Sequence, residues 1–196
     1  LYYDPNQVLV SNGEKQSLFT ACQVLFQQGD EVIIFSPYWV SFPEFVRLAD
    51  AEPIIVKTDP NNQFEPDFDD LQLKITNKTK GVIINSPSNP TGGVWSEEAI
   101  IKILEMSAQN NWTVISDECY EQLVFDGKFV SAQKLNLYET NVLTCMCLSK
   151  TYAMRGWSIG YAIGDLNIIQ AMSKLQNQAT SCGTSICQKA AIAALT

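Results

Sequence analysis

Five short clusters in this chain carry side chains able to do chemistry at the points where apolar runs give out. In "WTVISDECY" (112–120) an apolar run ends in Asp117, Glu118 and Tyr120, whose polar groups resist burial. Lys150 closes another such run in "NVLTCMCLSK" (141–150), 33 residues after Asp117. "SNGEK" (11–15) precedes a helical pattern, "SPYW" (36–39) follows "EVIIF", and "NSPSNPTGG" (85–93) follows "GVII". Taken singly each cluster is ordinary, since Gly-Asn-Pro loops are turns and a lysine after a strand is commonly just solvated. Together they set an amine, a carboxylate, a phenol, an indole and a glycine turn at successive strand ends, where open α/β sheets bind ligands.

The residues missing from this set restrict the chemistry further. The chain has no histidine, so Ser-His-Asp and Cys-His nucleophile systems and the usual His-containing zinc sites cannot be built from it. Acid and base work falls to Lys, Asp, Glu, Tyr or Cys. The six cysteines, Cys22, Cys119, Cys145, Cys147, Cys182 and Cys187, form no C-x-x-C pair. Cys145 and Cys147 read as small buried apolar side chains along a strand, the set reads as reduced core thiols, and no metal site is expected.

The elements that must position these residues follow from periodicity. "EVIIF" (31–35), "EPIIVK" (52–57), "KGVIINS" (80–86), "WTVISD" (112–117), "NVLTCMCLS" (141–149) and "SIGYAIG" (158–164) read as strands, several too uniformly apolar to have a wet face. Residues 15–28, 40–49, 66–76, 96–110, 166–179 and 185–195 read as helices, with Ser96 of "SEEA" as an N-cap. Strands alternating with helices predict βαβ units and a largely parallel sheet covered on both faces.

Composition agrees with a globular reading. At 196 residues and 46% hydrophobic content the chain supports one sizeable core, and it contains no low-complexity tract or internal repeat. A formal charge of −8, with 13 basic residues spread along the chain, speaks against a nucleic-acid partner. The apolar runs are too short to cross a bilayer and "LYYDPNQVLV" lacks a signal-peptide pattern, so a cytoplasmic protein with no membrane partner is expected.

In their order along the chain, "NPTGG", "SDECY" and "LSKTYAMRGW" resemble the large domain of fold-type I pyridoxal-phosphate enzymes, and most closely the class I aminotransferases. "GDEVIIFSPYWVSFPE" is similar to the bacterial aspartate or aspartate/prephenate aminotransferase branch. The resemblance covers essentially the whole chain. It implies a three-layer α/β/α large domain over residues 1–196 with a mostly parallel central sheet. It also implies that an N-terminal segment and a C-terminal small domain lie outside this stretch, and that the complete protein is a homodimer.

The resemblance also carries roles. Lys150 matches the lysine that forms the Schiff base with pyridoxal 5′-phosphate and shuttles the substrate proton, work that needs an amine able to lose its proton near neutrality. Asp117 matches the carboxylate that pairs with the pyridine nitrogen and keeps the ring an electron sink. Tyr120 and Asn89 match the groups that hydrogen-bond the cofactor's phenolic oxygen, and Trp39 matches the aromatic that stacks on its ring. Gly13, Glu14 and Lys15 match the turn whose amides hold the phosphate at a helix N-terminus.

Two departures stand out. Ser158 occupies the position, eight residues after the lysine, where the family normally has a phosphate-pairing arginine, and Arg155 stands where relatives have a small residue. Cys147 replaces the usual Ser or Gly three residues before Lys150, leaving Ser149 as the nearer hydroxyl. A charge-assisted contact is worth roughly 1.5–3 kcal/mol, so weaker cofactor retention is expected. On an extended segment Arg155 would point away from the face that Ser158 serves unless the loop is turned, so it is read as a minor phosphate ligand beside the Gly13–Lys15 amides and Ser149.

The implied activity is ping-pong transfer of an amino group between an amino acid and a 2-oxo acid. Lys15 favours an acidic amino acid such as aspartate. Two alternatives stay open from sequence: lyase, decarboxylase or oxidase chemistry on the same cofactor, and a non-catalytic pyridoxal-phosphate sensor domain of a transcription regulator.

Overall fold

In the computed structural model, which describes residues 2–196, strand and helix alternate as the periodicity requires. The first half runs β1 (Val8–Ser11), α1 (Glu14–Leu25), β2 (Glu31–Ser36), α2 (Ser41–Leu48), β3 (Glu52–Asp59), β4 (Glu65–Pro66), α3 (Phe68–Lys74) and β5 (Thr79–Asn85). The second half runs α4 (Glu97–Asn110), β6 (Thr113–Asp117), α5 (Ala132–Leu135), β7 (Val142–Cys147), α6 (Leu148–Thr151), β8 (Gly160–Ile163), α7 (Leu166–Ala179) and α8 (Ser185–Leu195). The strands form one sheet in the order β1-β8-β7-β6-β5-β2-β3-β4. The five strands from β7 to β3 are parallel, whereas β8 is antiparallel to both β1 and β7, and β4 is antiparallel to β3.

Unbroken Val/Ile runs leave no side chain for water, so both faces of these strands need cover. The period of two divides each run between two cores. Val32 and Ile34 of β2, Ile83 of β5 and Ile115 of β6 pack on one face against Leu18 of α1, Phe45 of α2 and Met172 of α7. Ile33 and Phe35, Val82 and Ile84, and Val114 pack on the other face against Leu71 of α3 and Ile103 and Leu104 of α4. The architecture is therefore the expected three layers around a mostly parallel sheet. Among the described residues, no helix is long and apolar enough to cross a membrane.

The expected elements are present, their ends within three residues of those expected. Ser96 caps α4 as expected, its Oγ accepting from the Ala99 amide at 3.1 Å. β1 and β4 were not expected, and "NVLTCMCLS" stops being a strand at Cys147, where the one-turn α6 begins and carries Lys150. β1 is a four-residue strand with alternate burial, short enough to pass as part of a loop. Its antiparallel partner β8 is itself antiparallel to β7, so β1 runs in the same direction as the central strands and ends at the same edge of the sheet.

Candidate active site

Every polar strand end named from sequence reaches that one edge. A cleft of about 490 Å³ is lined there by Gly13, Glu14, Lys15, Trp39, Asn89, Asp117, Tyr120, Ser149, Lys150, Arg155 and Ser158, with Cys119 and Cys147 at its floor. The whole expected set is brought together, from stretches up to 145 residues apart.

Asp117 is the last residue of β6 and is 3% exposed. Its Oδ1 accepts from the Cys119 amide at 3.2 Å. Burial pushes its pKa up, and the charge of Lys150 is among the weaker influences pulling it back. Glu118, next in sequence, has a different fate. It turns away to accept from Ser116 Oγ at 2.9 Å, Ser131 Oγ at 3.1 Å and the Ala132 amide at 3.0 Å. Its carboxyl is thus satisfied by the start of α5, a structural use.

Lys150 Nζ lies 5.3 Å from the centroid of the Tyr120 ring, within cation–π range. The Tyr120 phenol is pushed up to about 12, first by burial and then by neighbouring acidic groups, so it is a hydrogen-bond donor at all ordinary pH. Trp39 is held by edge-to-face contacts with Phe42 at 5.5 Å and Phe45 at 5.9 Å, and Lys15 Nζ sits 4.8 Å from its ring. Asn89 is set by Asn85, a residue the sequence did not single out. The Asn85 Oδ1 accepts from the Asn89 amide at 2.8 Å, while its Nδ2 donates to the Asp117 carbonyl at 3.3 Å.

The anion end is built from backbone. Gly13 caps α1 at φ +79°, a conformation that disfavours any side chain, and so aims the first amides of the helix into the cleft. Gly160 lies behind it: a Cβ there would stand 2.3 Å from the Glu14 nitrogen. Arg155 opens a 3-10 turn, Arg155–Trp157, after which Ser158 adopts a left-handed conformation. The segment is turned rather than extended, so Arg155 and Ser158 line the same cleft, the turned alternative that the spacing left open.

The Glu14 side chain has a setting that its place in the expected phosphate turn does not announce. Its Oε1 is fully buried and has no hydrogen-bond partner. Burial, then the charge of Asp117, drives its carboxyl well above the usual range. The ladder ends with Asp117 paired to Cys145, and two residues further along each chain Cys119 and Cys147 lie close to one another. A Glu14 carboxylate oxygen and the two sulfurs lie within 4.8 Å of one another. The Cys147 thiol is pulled down to about 6, first by its hydrogen bond with Cys119. Cys119 is correspondingly pushed up, by that bond and by burial. Cys145 is a core thiol as expected, but Cys119 and Cys147 face the cleft.

The chain matches the family described as aminotransferase class I and II over residues 1–196. It is 44% identical over 195 residues to the aspartate aminotransferase of Bacillus subtilis (strain 168), covering 98% of this chain and 49% of that protein. It is 41% identical over 192 residues to the probable aspartate/prephenate aminotransferase of Thermus aquaticus, covering 98% and 50%. Among solved structures, the aspartate aminotransferase from Thermus thermophilus with maleate superposes at a TM-score of 0.95 with 38% identity, over 100% of this chain and 51% of that one. The chain spans about half the length of the curated relatives it matches.

Proposed function

The chain belongs to the aminotransferase class I and II family, and from that premise we propose that it forms the cofactor-holding part of a pyridoxal-phosphate-dependent aminotransferase. The reaction is transfer of an amino group from an amino acid, with aspartate the leading candidate, to a 2-oxo acid. The observation that carries this reading is the burial of Asp117 at a strand end, within reach of the charge of Lys150 across the cleft floor. A buried carboxylate is costly unless a cationic or hydrogen-bonding partner offsets it.

The residues present fit the cofactor. The cleft volume lies within the ordinary range for small-molecule sites. The Gly13 cradle offers helix amides to a phosphate. When bound, the cofactor supplies an electron sink that no protein side chain has.

The protein's own residues do the rest. Asp117 would hold a proton on the ring nitrogen, Tyr120 and Asn89 would hydrogen-bond the ring oxygen, and Trp39 would stack on the ring. Lys150 Nζ would take the substrate α-proton and return it. Arg155 and the amides of Gly13 to Lys15, with Ser149 nearby, would hold the phosphate. Lys15 beside Trp39 supports an acidic substrate, and the maleate in the Thermus thermophilus structure is a dicarboxylate. Exposed apolar side chains at Leu123 and Phe125, the latter 96% exposed, support a homodimer.

The test is an absorbance spectrum of the chain with pyridoxal 5′-phosphate, followed by a panel of amino acids. A protein-bound spectrum that aspartate or glutamate converts to the amine form of the cofactor is the expected outcome. No binding would end the reading.

A further inference from the structure

We propose that Glu14, Cys119 and Cys147 form a site for a soft divalent transition metal ion of the Zn²⁺ type at the floor of the cleft. Their ligand atoms, one carboxylate oxygen and two sulfurs, already lie within 4.8 Å of one another. Adjacent ligand atoms around a tetrahedral zinc with ~2.3 Å bonds stand about 3.8 Å apart, so side-chain movements of about 1 Å close the set. The second, independent observation is the Glu14 Oε1 atom, which is fully buried and has no hydrogen-bond partner. A buried acceptor with nothing to accept from is rare in native proteins and calls for a proton or a cation.

The donor set selects the ion. Thiolates favour Zn²⁺ and its soft neighbours over Mg²⁺ and Ca²⁺, which want oxygen ligands. Three protein ligands leave a fourth position open towards the cleft, the pattern of zinc sites that also hold a water or a small ligand. Geometry supplies the rigidity. Cys147 ends β7 and Cys119 lies two residues past the end of its paired strand β6, while Glu14 opens α1 against Gly160. No proximity in sequence links the three residues, which explains why cysteine spacing gave no sign of them.

Metal and pyridoxal phosphate would share the cleft, so each should exclude the other. This second statement rests on the cofactor reading above, whereas the metal site does not.

The test is titration of the thiol-reduced, metal-free chain with Co²⁺ and then Zn²⁺. One equivalent of Co²⁺ should produce a thiolate-to-cobalt charge-transfer band that Zn²⁺ removes. Cys119→Ser and Cys147→Ser should each abolish the band, Glu14→Gln should weaken Co²⁺ affinity by at least about tenfold, and Cys182→Ser, an exposed thiol elsewhere, should change nothing. Circular dichroism confirms that each variant is folded. Absence of the band in the wild-type chain, or its survival in both cleft cysteine variants, overturns the site. Undiminished Co²⁺ uptake in a chain saturated with pyridoxal phosphate overturns the competition. A chain that takes up Co²⁺ but never binds pyridoxal phosphate keeps the metal site and sinks the cofactor reading.

Discussion

Lys150 Nζ stands 5.3 Å from the centroid of the Tyr120 ring, which joins the turn after β7 to the turn after β6 across the mouth of the cleft. Asp117 lines the same cleft, close enough to feel the charge of the amine. Reduction of the pyridoxal-phosphate complex with borohydride should mark Lys150 in a peptide map, and Lys150→Arg should take no label. Label found on Lys15 or Lys174 would assign the amine wrongly.

Asp117→Ala should leave the fold intact, because the hydrogen bonds of this side chain go to the Cys119 amide and to cleft neighbours and tie no other strand of the sheet. It should lower the transamination rate by at least about 10²-fold, the scale of losing one preorganised charge at a reacting centre. Steady-state rates beside circular dichroism decide it. Near-normal turnover would mean that the carboxylate has another task.

Arg155 and Ser158 share the anion end because of the 3-10 turn between them. Arg155→Ala should therefore weaken pyridoxal-phosphate binding by about 10- to 100-fold, the equivalent of a charge-assisted contact. Ser158→Arg should tighten it, since a guanidinium offers the phosphate a planar charged fork. Equilibrium dialysis measures both. An unchanged affinity in Arg155→Ala would leave the amides of Gly13 to Lys15 as the sole anchor.

Glu14 titrates well above the usual carboxyl range because it is buried beside Asp117. A raised folded-state pKa stabilises the protein below the unfolded value, near 4.3, and that stability is lost as pH rises through the folded-state value. Glu14→Gln should thus raise Tm at pH 8 and have little effect at pH 4. An equal shift at both values would show that packing, not ionisation, is responsible.

Gly160→Ala should destabilise by about 1–3 kcal/mol, as overpacking does, because its Cβ would stand 2.3 Å from the Glu14 nitrogen. The start of α1 must then move away from β8. Denaturant melts and phosphate-binding assays should both register the change.

Much of this molecule was legible in its sequence, since periodicity is local. Val32 to Phe35 alternate between two cores because a strand turns successive side chains to opposite faces, and no tertiary knowledge is needed to see it. Asp117 and Lys150 were visible for a related reason: each ends an apolar run at a position where a parallel sheet opens its ligand edge. Distances between segments were not legible. Arg155 faces the cleft through a turn that its neighbours' types do not announce, and Ser158 enters a left-handed conformation that serines seldom adopt. Glu118 resembled Asp117 in sequence but was claimed by Ser116, Ser131 and Ala132, the last two 13 and 14 residues on. Glu14, Cys119 and Cys147 met only when β1, β6 and β7 took their places in the sheet. Which side chains can react is written residue by residue, but which of them share one small volume is set by strand order and register, which arise only when distant segments pair.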